Sequence, residues 1–395
     1  MRIARRATEV SLSVTLALDA RAKALMAQGR DVINMSVGEP DFPAPALVQD
    51  AACKLIRSGN VRYTPAAGTL ALRGAIAKYL TESRGVAFTL PQVTVCHSTK
   101  HALSGAILAT IQEGDEVLLF LPAWVSYVEI VKLAGGVPIS VPSRPDLGPD
   151  FDAIRRAIGP KTRAMLLNSP SNPTGYTWSR KEVEELAALA VKHDLVLLSD
   201  EIYRRLIYEG EPDFSPASVS AEVRARTVIL DGASKSYAMT GYRIGFVAGP
   251  PEIAAAVERV HSHLVGAPNS VSQAGYLAAL ETEPPEVEMM KREFDARRRF
   301  LIPELQRMGL ETPMPRGAFY AFADVGPYLD ARGSTGFCED LLEQQNLALV
   351  PGSAFGVDTH VRLSYALGLD RIRHACERLA AFLAAHPRAP AAARR

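Results

Sequence analysis

A single lysine, Lys235, stands among small and hydroxyl residues in the stretch Asp231-Gly232-Ala233-Ser234-Lys235-Ser236-Tyr237-Ala238-Met239-Thr240-Gly241-Tyr242-Arg243-Ile244-Gly245. The stretch lies between two apolar runs, Thr227–Leu230 and Ile244–Ala248, each with the length and β-branching of a buried strand. At the end of such a strand an amine is shielded enough to form a Schiff base with a carbonyl cofactor. The Ser234 hydroxyl and the Arg243 cation, eight positions after the lysine, suit a phosphate. On local chemistry alone, a solvated turn lysine is the commoner outcome.

Further stretches change that weighting. They are Asn168-Ser169-Pro170-Ser171-Asn172-Pro173-Thr174-Gly175, Ser199-Asp200-Glu201-Ile202-Tyr203 and Val361-Arg362-Leu363-Ser364-Tyr365-Ala366. With Ser234-Lys235 and Gly241-Tyr242-Arg243-Ile244-Gly245, and in this order, they resemble the class I aminotransferases, which are fold-type I enzymes dependent on pyridoxal phosphate (PLP). Each motif alone is weak; five in order are specific. The resemblance runs to about Ala366, and the chain looks closest to the bacterial aspartate aminotransferase branch, which also contains prephenate aminotransferases.

The resemblance implies a role for each matched position. Lys235 would hold PLP and then act as general acid/base. Asp200 would pair with the protonated ring nitrogen. Tyr203 and Asn172 would bond the ring's 3′-oxygen, and Trp124 would stack on the ring. Ser98, Thr99 and Lys100, which follow one strand and open a helix, would meet the phosphate with Ser234 and Arg243. Tyr63 matches a tyrosine that reaches the phosphate of a neighbouring subunit, which implies a homodimer. Arg362 would clamp the substrate's α-carboxylate with help from Asn172 and the backbone at Gly38, and Phe355 would wall the pocket. Taken singly, these residues have plainer readings. Asp200 suits an N-cap, Asn172 a turn, Tyr203 and Trp124 a core, and Arg362 a surface cation.

The elements that must position these groups alternate strand and helix. Apolar runs at Val93–Cys96, Glu116–Leu121, Ala164–Asn168, Leu195–Ser199 and Thr227–Leu230 read as buried strands. Stretches at His101–Ile111, Arg180–His193 and Glu252–Leu264 read as helices between them. The fold class expected is therefore α/β, a mainly parallel sheet covered on both faces. The family adds seven strands and a smaller α/β domain. Ser98, Asn168, Asp200 and Lys235 all fall at carboxyl ends of strands, where such sheets place their sites. Earlier in the chain, helices are expected near Thr15–Gly29, Ala46–Ser58 and Leu70–Arg84. A long charged helix, about Pro285–Met308, leads out of the sheet domain. The division expected is 1–45 as an arm with part of the small domain, 46–285 as the large domain, 286–385 as the small domain and 386–395 as a disordered tail.

Composition narrows the function classes. The chain has 395 residues, 48% hydrophobic and 22% charged, an ordinary globular balance. A formal net charge of +1 gives no electrostatic case for nucleic acid or a membrane surface. No run approaches a membrane span. Four scattered cysteines form neither a CxxC nor a Cys/His ligand spacing, so they read as reduced thiols of a cytoplasmic protein, with no metal site.

Substrate choice is the thinnest signal. The resemblance matches Thr15 and Lys100 to positions that recognise an acidic side chain, so aspartate, glutamate and prephenate fit, with 2-oxoglutarate or oxaloacetate as acceptor. Relatives commonly have two glycines before the Lys100 position and a glutamine after it; this chain has Ser98-Thr99 and His101. The loop His263-Leu264-Val265-Gly266-Ala267-Pro268 is more apolar than usual, which leaves aromatic or aliphatic donors open. A PLP lyase of the same fold would keep Lys235, Asp200 and Arg362. A PLP-sensing regulator would need a DNA-binding region ahead of residue 30, and no basic helix-turn-helix pattern lies there.

Overall fold

Seven strands form the central sheet of the computed structural model, which describes residues 2–11, 14–210 and 214–386. They are β1 (Val93–Cys96), β2 (Glu116–Phe120), β3 (Val137–Val141), β4 (Thr162–Asn168), β5 (Val196–Asp200), β6 (Thr227–Gly232) and β7 (Gly245–Ala248). Their spatial order is β1-β7-β6-β5-β4-β2-β3. The pairs from β6 to β3 are all parallel, and β7 alone runs antiparallel to both its neighbours. The expected mainly parallel sheet is thus present. Strands covered on both faces read as unbroken apolar runs, which is why most were visible in the sequence. β3 was not, because Val137-Pro138-Ile139-Ser140-Val141 is a half-exposed edge where proline is tolerated.

Helix bounds follow the caps. The helix Leu70–Arg84 begins after Thr69, whose side chain accepts from the Leu72 N–H, and stops at Gly85 in the left-handed region. Helix α1 (Thr99–Thr110) starts two residues before the expected His101 because Ser98 caps it. Helices α2 (Pro251–Leu264) and α3 (Glu286–Arg307) lie close to the expected bounds, as do Val14–Ala27, Ala46–Arg57 and Arg180–Lys192. The helix Ser270–Thr282 was not anticipated. It is rich in small residues and packs against both Ala46–Arg57 and Leu70–Arg84, so no single apolar stripe announces it.

Beyond α3, strands β8 (Tyr320–Asp324), β9 (Val350–Pro351) and β10 (His360–Ser364) form an antiparallel sheet in the order β9-β10-β8. Ile33–Asn34 pairs in parallel with Leu347–Ala348, which ties the amino-terminal segment to this late part of the chain. One apolar cluster, including Met35, Phe294, Phe319 and Leu363, fills the space between α3 and these strands, and others lie on the faces of the large sheet. Residues 387–395 of the expected tail lie outside the described residues. Among the described residues no helix is long and apolar enough to cross a membrane.

Candidate active site

A cavity of about 660 Å³ opens at the carboxyl ends of the parallel strands, where the sheet meets the segment 36–39 and strands β8 and β10. At one end, the first turn of α1 brings Ser98, Thr99 and Lys100 to the cavity beside Ser234, Thr240 and Arg243. That approach depends on two glycines. A Cβ on Gly245 would lie 2.4 Å from the Thr99 nitrogen, and one on Gly232 would lie 2.6 Å from Thr99 Oγ1. Thr99 Oγ1 itself is buried without a hydrogen-bond partner. Ser98 has φ 91° and ψ 159°, a region that glycine occupies without cost, so the departure from two glycines places a strained serine here. Lys100 sits with its ammonium 4.7 Å from the Trp124 ring. Desolvation and the neighbouring Arg243 charge lower its pKa from the ordinary lysine range.

In the middle stand Lys235 and Asp200. Lys235 follows β6 in the short helix Ala233–Ser236, and its amine donates to the Gly38 carbonyl. Desolvation lowers its pKa to about 8, with Glu39 and Asp200 opposing and Arg362 and Arg243 reinforcing. Asp200 ends β5. Alternation along the strand turns Asp200 to the cavity, while its neighbour Glu201 pairs with Arg84 in the protein interior. The Asp200 carboxylate accepts from the Tyr127 hydroxyl at 2.6 Å and from the Ile202 N–H at 3.2 Å. Burial nevertheless pushes its pKa up to about 6, since no described cation lies within ion-pair distance of it.

At the far end, Arg362 projects from β10 and is 2% exposed. Its guanidinium donates to Asn172 Oδ1 at 3.0 Å and to the Ser36 carbonyl at 2.6 Å, and lies 4.6 Å from the Tyr320 ring. Among the described residues no carboxylate answers its charge, and burial lowers its pKa. A buried guanidinium bonded only to neutral acceptors is set to receive an anion. Asn172 spends Oδ1 on Arg362 and keeps its amide NH₂ for a ligand. The Tyr203 hydroxyl is bonded to that of Tyr320 at 2.7 Å.

The structure thus brings together Ser98, Thr99, Lys100, Trp124, Asn172, Asp200, Tyr203, Ser234, Lys235, Arg243, Arg362 and Gly38 around one cavity. Two expected residues, Phe355 and Tyr63, are not brought there. Phe355 does not wall the cavity; it is 1% exposed and lies behind Arg362, 5.2 Å from its guanidinium, because the turn Gly352–Phe355 folds it onto Phe322 in the core. Tyr63 is fully exposed and away from the cavity within this chain. Thr15 falls in the helix Val14–Ala27, and its side chain lies outside the described residues. Tyr127 and Tyr320 had no role assigned from sequence. Tyr127 stands three residues after Trp124 and its aromatic type was visible, but nothing local ties it to Asp200.

These residues fit PLP. A half-buried amine of lowered pKa, an uncompensated buried carboxylate and a cradle of hydroxyls and N–H groups with a nearby guanidinium answer its aldehyde, ring nitrogen and phosphate respectively. The chain belongs to the aminotransferase class I and II family, whose model matches residues 30–379. It is 40% identical over 393 residues to an aspartate aminotransferase of Geobacillus stearothermophilus, covering 98% of this chain and all of that one. It is 40% identical over 386 residues to an aspartate/prephenate aminotransferase of Thermus thermophilus, covering 96% and 98%. The solved Thermus thermophilus aspartate aminotransferase with maleate superposes with a TM-score of 0.93 at 40% identity, covering 97% of this chain and 100% of that one. The protein is a PLP-dependent aminotransferase of fold type I that exchanges amino groups between an amino acid and a 2-oxo acid.

Proposed function

We propose that the preferred substrates are dicarboxylic, with aspartate or glutamate as donor and 2-oxoglutarate or oxaloacetate as acceptor, and that the cavity residues divide the work as follows. Lys235 would hold the cofactor's aldehyde and, as a free amine, would move the substrate's α-proton. Its lowered pKa raises the share of free amine near neutrality, which that role requires. Bound PLP supplies the electron sink for the carbon that loses the proton. Asp200 would hold the ring nitrogen in its protonated form, and Tyr127, which donates to that carboxylate, favours its charged form and orients it. Trp124, which lines the cavity, would cover one face of the ring. Ser98, Thr99, Ser234 and Arg243 take the phosphate. Asn172 and Tyr203 address the ring's 3′-oxygen.

Arg362 would clamp the α-carboxylate, and the setting of its guanidinium is the observation that carries the reading. Its guanidinium is buried, lacks a counter-anion among the described residues and faces the same cavity as Lys235. Lys100 at the opposite rim supplies a second cation for a distal carboxylate. Maleate, present in the similar Thermus structure, is a dicarboxylate of the same length as aspartate.

A homodimer completes the site in this proposal. Tyr63 lies in a loop tied to the 264–268 loop through Thr64, which accepts from Gln273 Nε2 at 2.9 Å and donates to the Pro268 carbonyl at 3.4 Å. Val61, Tyr63, Leu264 and Val265 are all exposed there, an apolar surface suited to a second copy. We also read residues 1–45 with 286–385 as one small unit beside 46–285, supported by the pairing of Ile33 with Leu347. A cytoplasmic setting fits four cysteines that are all unpaired.

The test is a half-reaction without keto acid. Holoenzyme is mixed separately with aspartate, glutamate, phenylalanine and alanine, and the band of the lysine-bound cofactor is followed as it gives way to that of the amino form. Aspartate and glutamate should react fastest. A faster reaction with phenylalanine would transfer control of the pocket to the apolar 263–268 loop. Pyruvate and ammonia released without the amino form would mark a lyase.

A further inference from the structure

His101, one of the departures around the first turn of α1, meets two further metal-ligating side chains behind the phosphate cradle. Cys96 ends β1, His101 lies in the first turn of α1, and His261 comes from α2, which packs on α1. One ligand atom from each lies within 4.8 Å of those of the other two. Cys96 is fully buried and His261 is 1% exposed. The two imidazoles approach with Nδ1 atoms 3.2 Å apart and ring centroids 4.8 Å apart. Nε2 of both rings is buried without a hydrogen-bond partner. The Nδ1 contact puts a proton on one ring and leaves the other Nδ1 bare without fixing which ring holds it, and the Cys96 thiol, which donates to the Thr94 carbonyl at 3.7 Å, stands beside the pair.

We propose that Cys96, His101 and His261 form a binding site for a borderline divalent cation of the zinc class, separate from the PLP site. The geometry is close to what such an ion demands. With metal–nitrogen bonds of about 2.0–2.1 Å and tetrahedral angles, two coordinating nitrogens stand about 3.3 Å apart, which the histidine pair already matches. A nitrogen–sulfur edge is about 3.6 Å, so from separations within 4.8 Å Sγ has to close by at most about 1.2 Å and give up its bond to the Thr94 carbonyl. On binding, the thiol proton leaves for solvent and the thiolate takes the third position, with water or His97 on the connecting turn as the fourth ligand. One Cys and two His match zinc or cobalt and disfavour magnesium or calcium, which require oxygen donors. The site is new relative to the sequence reading because Cys96 and His261 are 165 positions apart in the chain, so no ligand spacing exposes it.

The experiment is a cobalt titration of chelator-treated holoenzyme, read through the visible d–d bands of tetrahedral cobalt, with zinc calorimetry in parallel. One equivalent per chain should bind with intense visible bands that zinc abolishes. Cys96→Ala and His101→Gln should each weaken binding by at least about tenfold, the scale at which even outer partners of a metal matter. Both variants should keep the circular dichroism and cofactor absorbance of the folded holoenzyme, so that loss of metal is not loss of fold. Cys53→Ser, which removes the one exposed thiol, should leave binding unchanged. No tetrahedral bands and no zinc heat would overturn the proposal. Bands that survive in Cys96→Ala and His101→Gln, or vanish in Cys53→Ser, would overturn it equally by placing the ion elsewhere.

Discussion

Replacing Asp200 by Asn should stabilise the cofactor-free protein above neutrality while removing most of its activity. The carboxyl is buried and its pKa stands at about 6 against an ordinary 3.8, so the folded state holds its proton more tightly than the unfolded chain does. Folding stability therefore falls as pH rises from about 4 to about 6 and stays reduced above that window. The displacement corresponds to about 3 kcal/mol, the cost of an uncompensated buried anion only partly relieved by the Tyr127 and Ile202 bonds. Asn carries no charge; its one oxygen accepts from the Ile202 N–H, and its NH₂, in the place of the other carboxylate oxygen, donates to the Tyr127 hydroxyl as a protonated Asp200 would. Urea unfolding of cofactor-free protein at pH 4 and pH 7.5 should then give Asp200→Asn a stability near wild type at the lower pH. At the higher pH the variant should be more stable by up to about 3 kcal/mol. Adding PLP should reverse the order, since the cationic ring nitrogen compensates the charge in wild type only. A difference between variant and wild type that is the same at both pH values would refute the argument, because the burial of charge would then not be its source.

Other outcomes follow from the same geometry. Arg362→Lys loses the two-pronged donor but keeps a cation, so kcat/KM should fall by about 100-fold or more while cofactor absorbance is unchanged; half-reaction rates at varied donor concentration check this. Tyr127→Phe removes the 2.6 Å bond to Asp200, a bond to a charged group worth about 1.5–3 kcal/mol, and should raise the Asp200 pKa above 6. PLP affinity measured by equilibrium dialysis should weaken most near neutral pH and least in alkali. Lys100→Met should lower the rate with aspartate and glutamate by about tenfold or more and leave alanine nearly unaffected, if the ammonium meets a distal carboxylate.

What was legible in the sequence was local. Val93–Cys96 and Leu70–Arg84 had visible bounds because a buried strand reads as an apolar run and a capped helix begins at a hydroxyl and ends at glycine. Asp200 and Lys235 could be placed at strand ends for the same reason, and an alternating α/β order already locates the site at those ends. The tertiary structure decided which partner each group meets. Tyr127 and Asp200 are separated by 73 positions, Tyr203 and Tyr320 by 117, and Asn172 and Arg362 by 190. Phe355 and Arg362 are close in sequence, yet only the packing of a short turn onto Phe322 sends the ring behind the guanidinium and not into the cavity. Residue periodicity reports which face of an element is buried, and it is silent about what lies across the gap. Whether Arg362 is a surface cation or an anion receptor depends on the neutral acceptors and aromatic faces that β8, Asn172 and Ser36 bring around it, and those arrive from three distant parts of the chain.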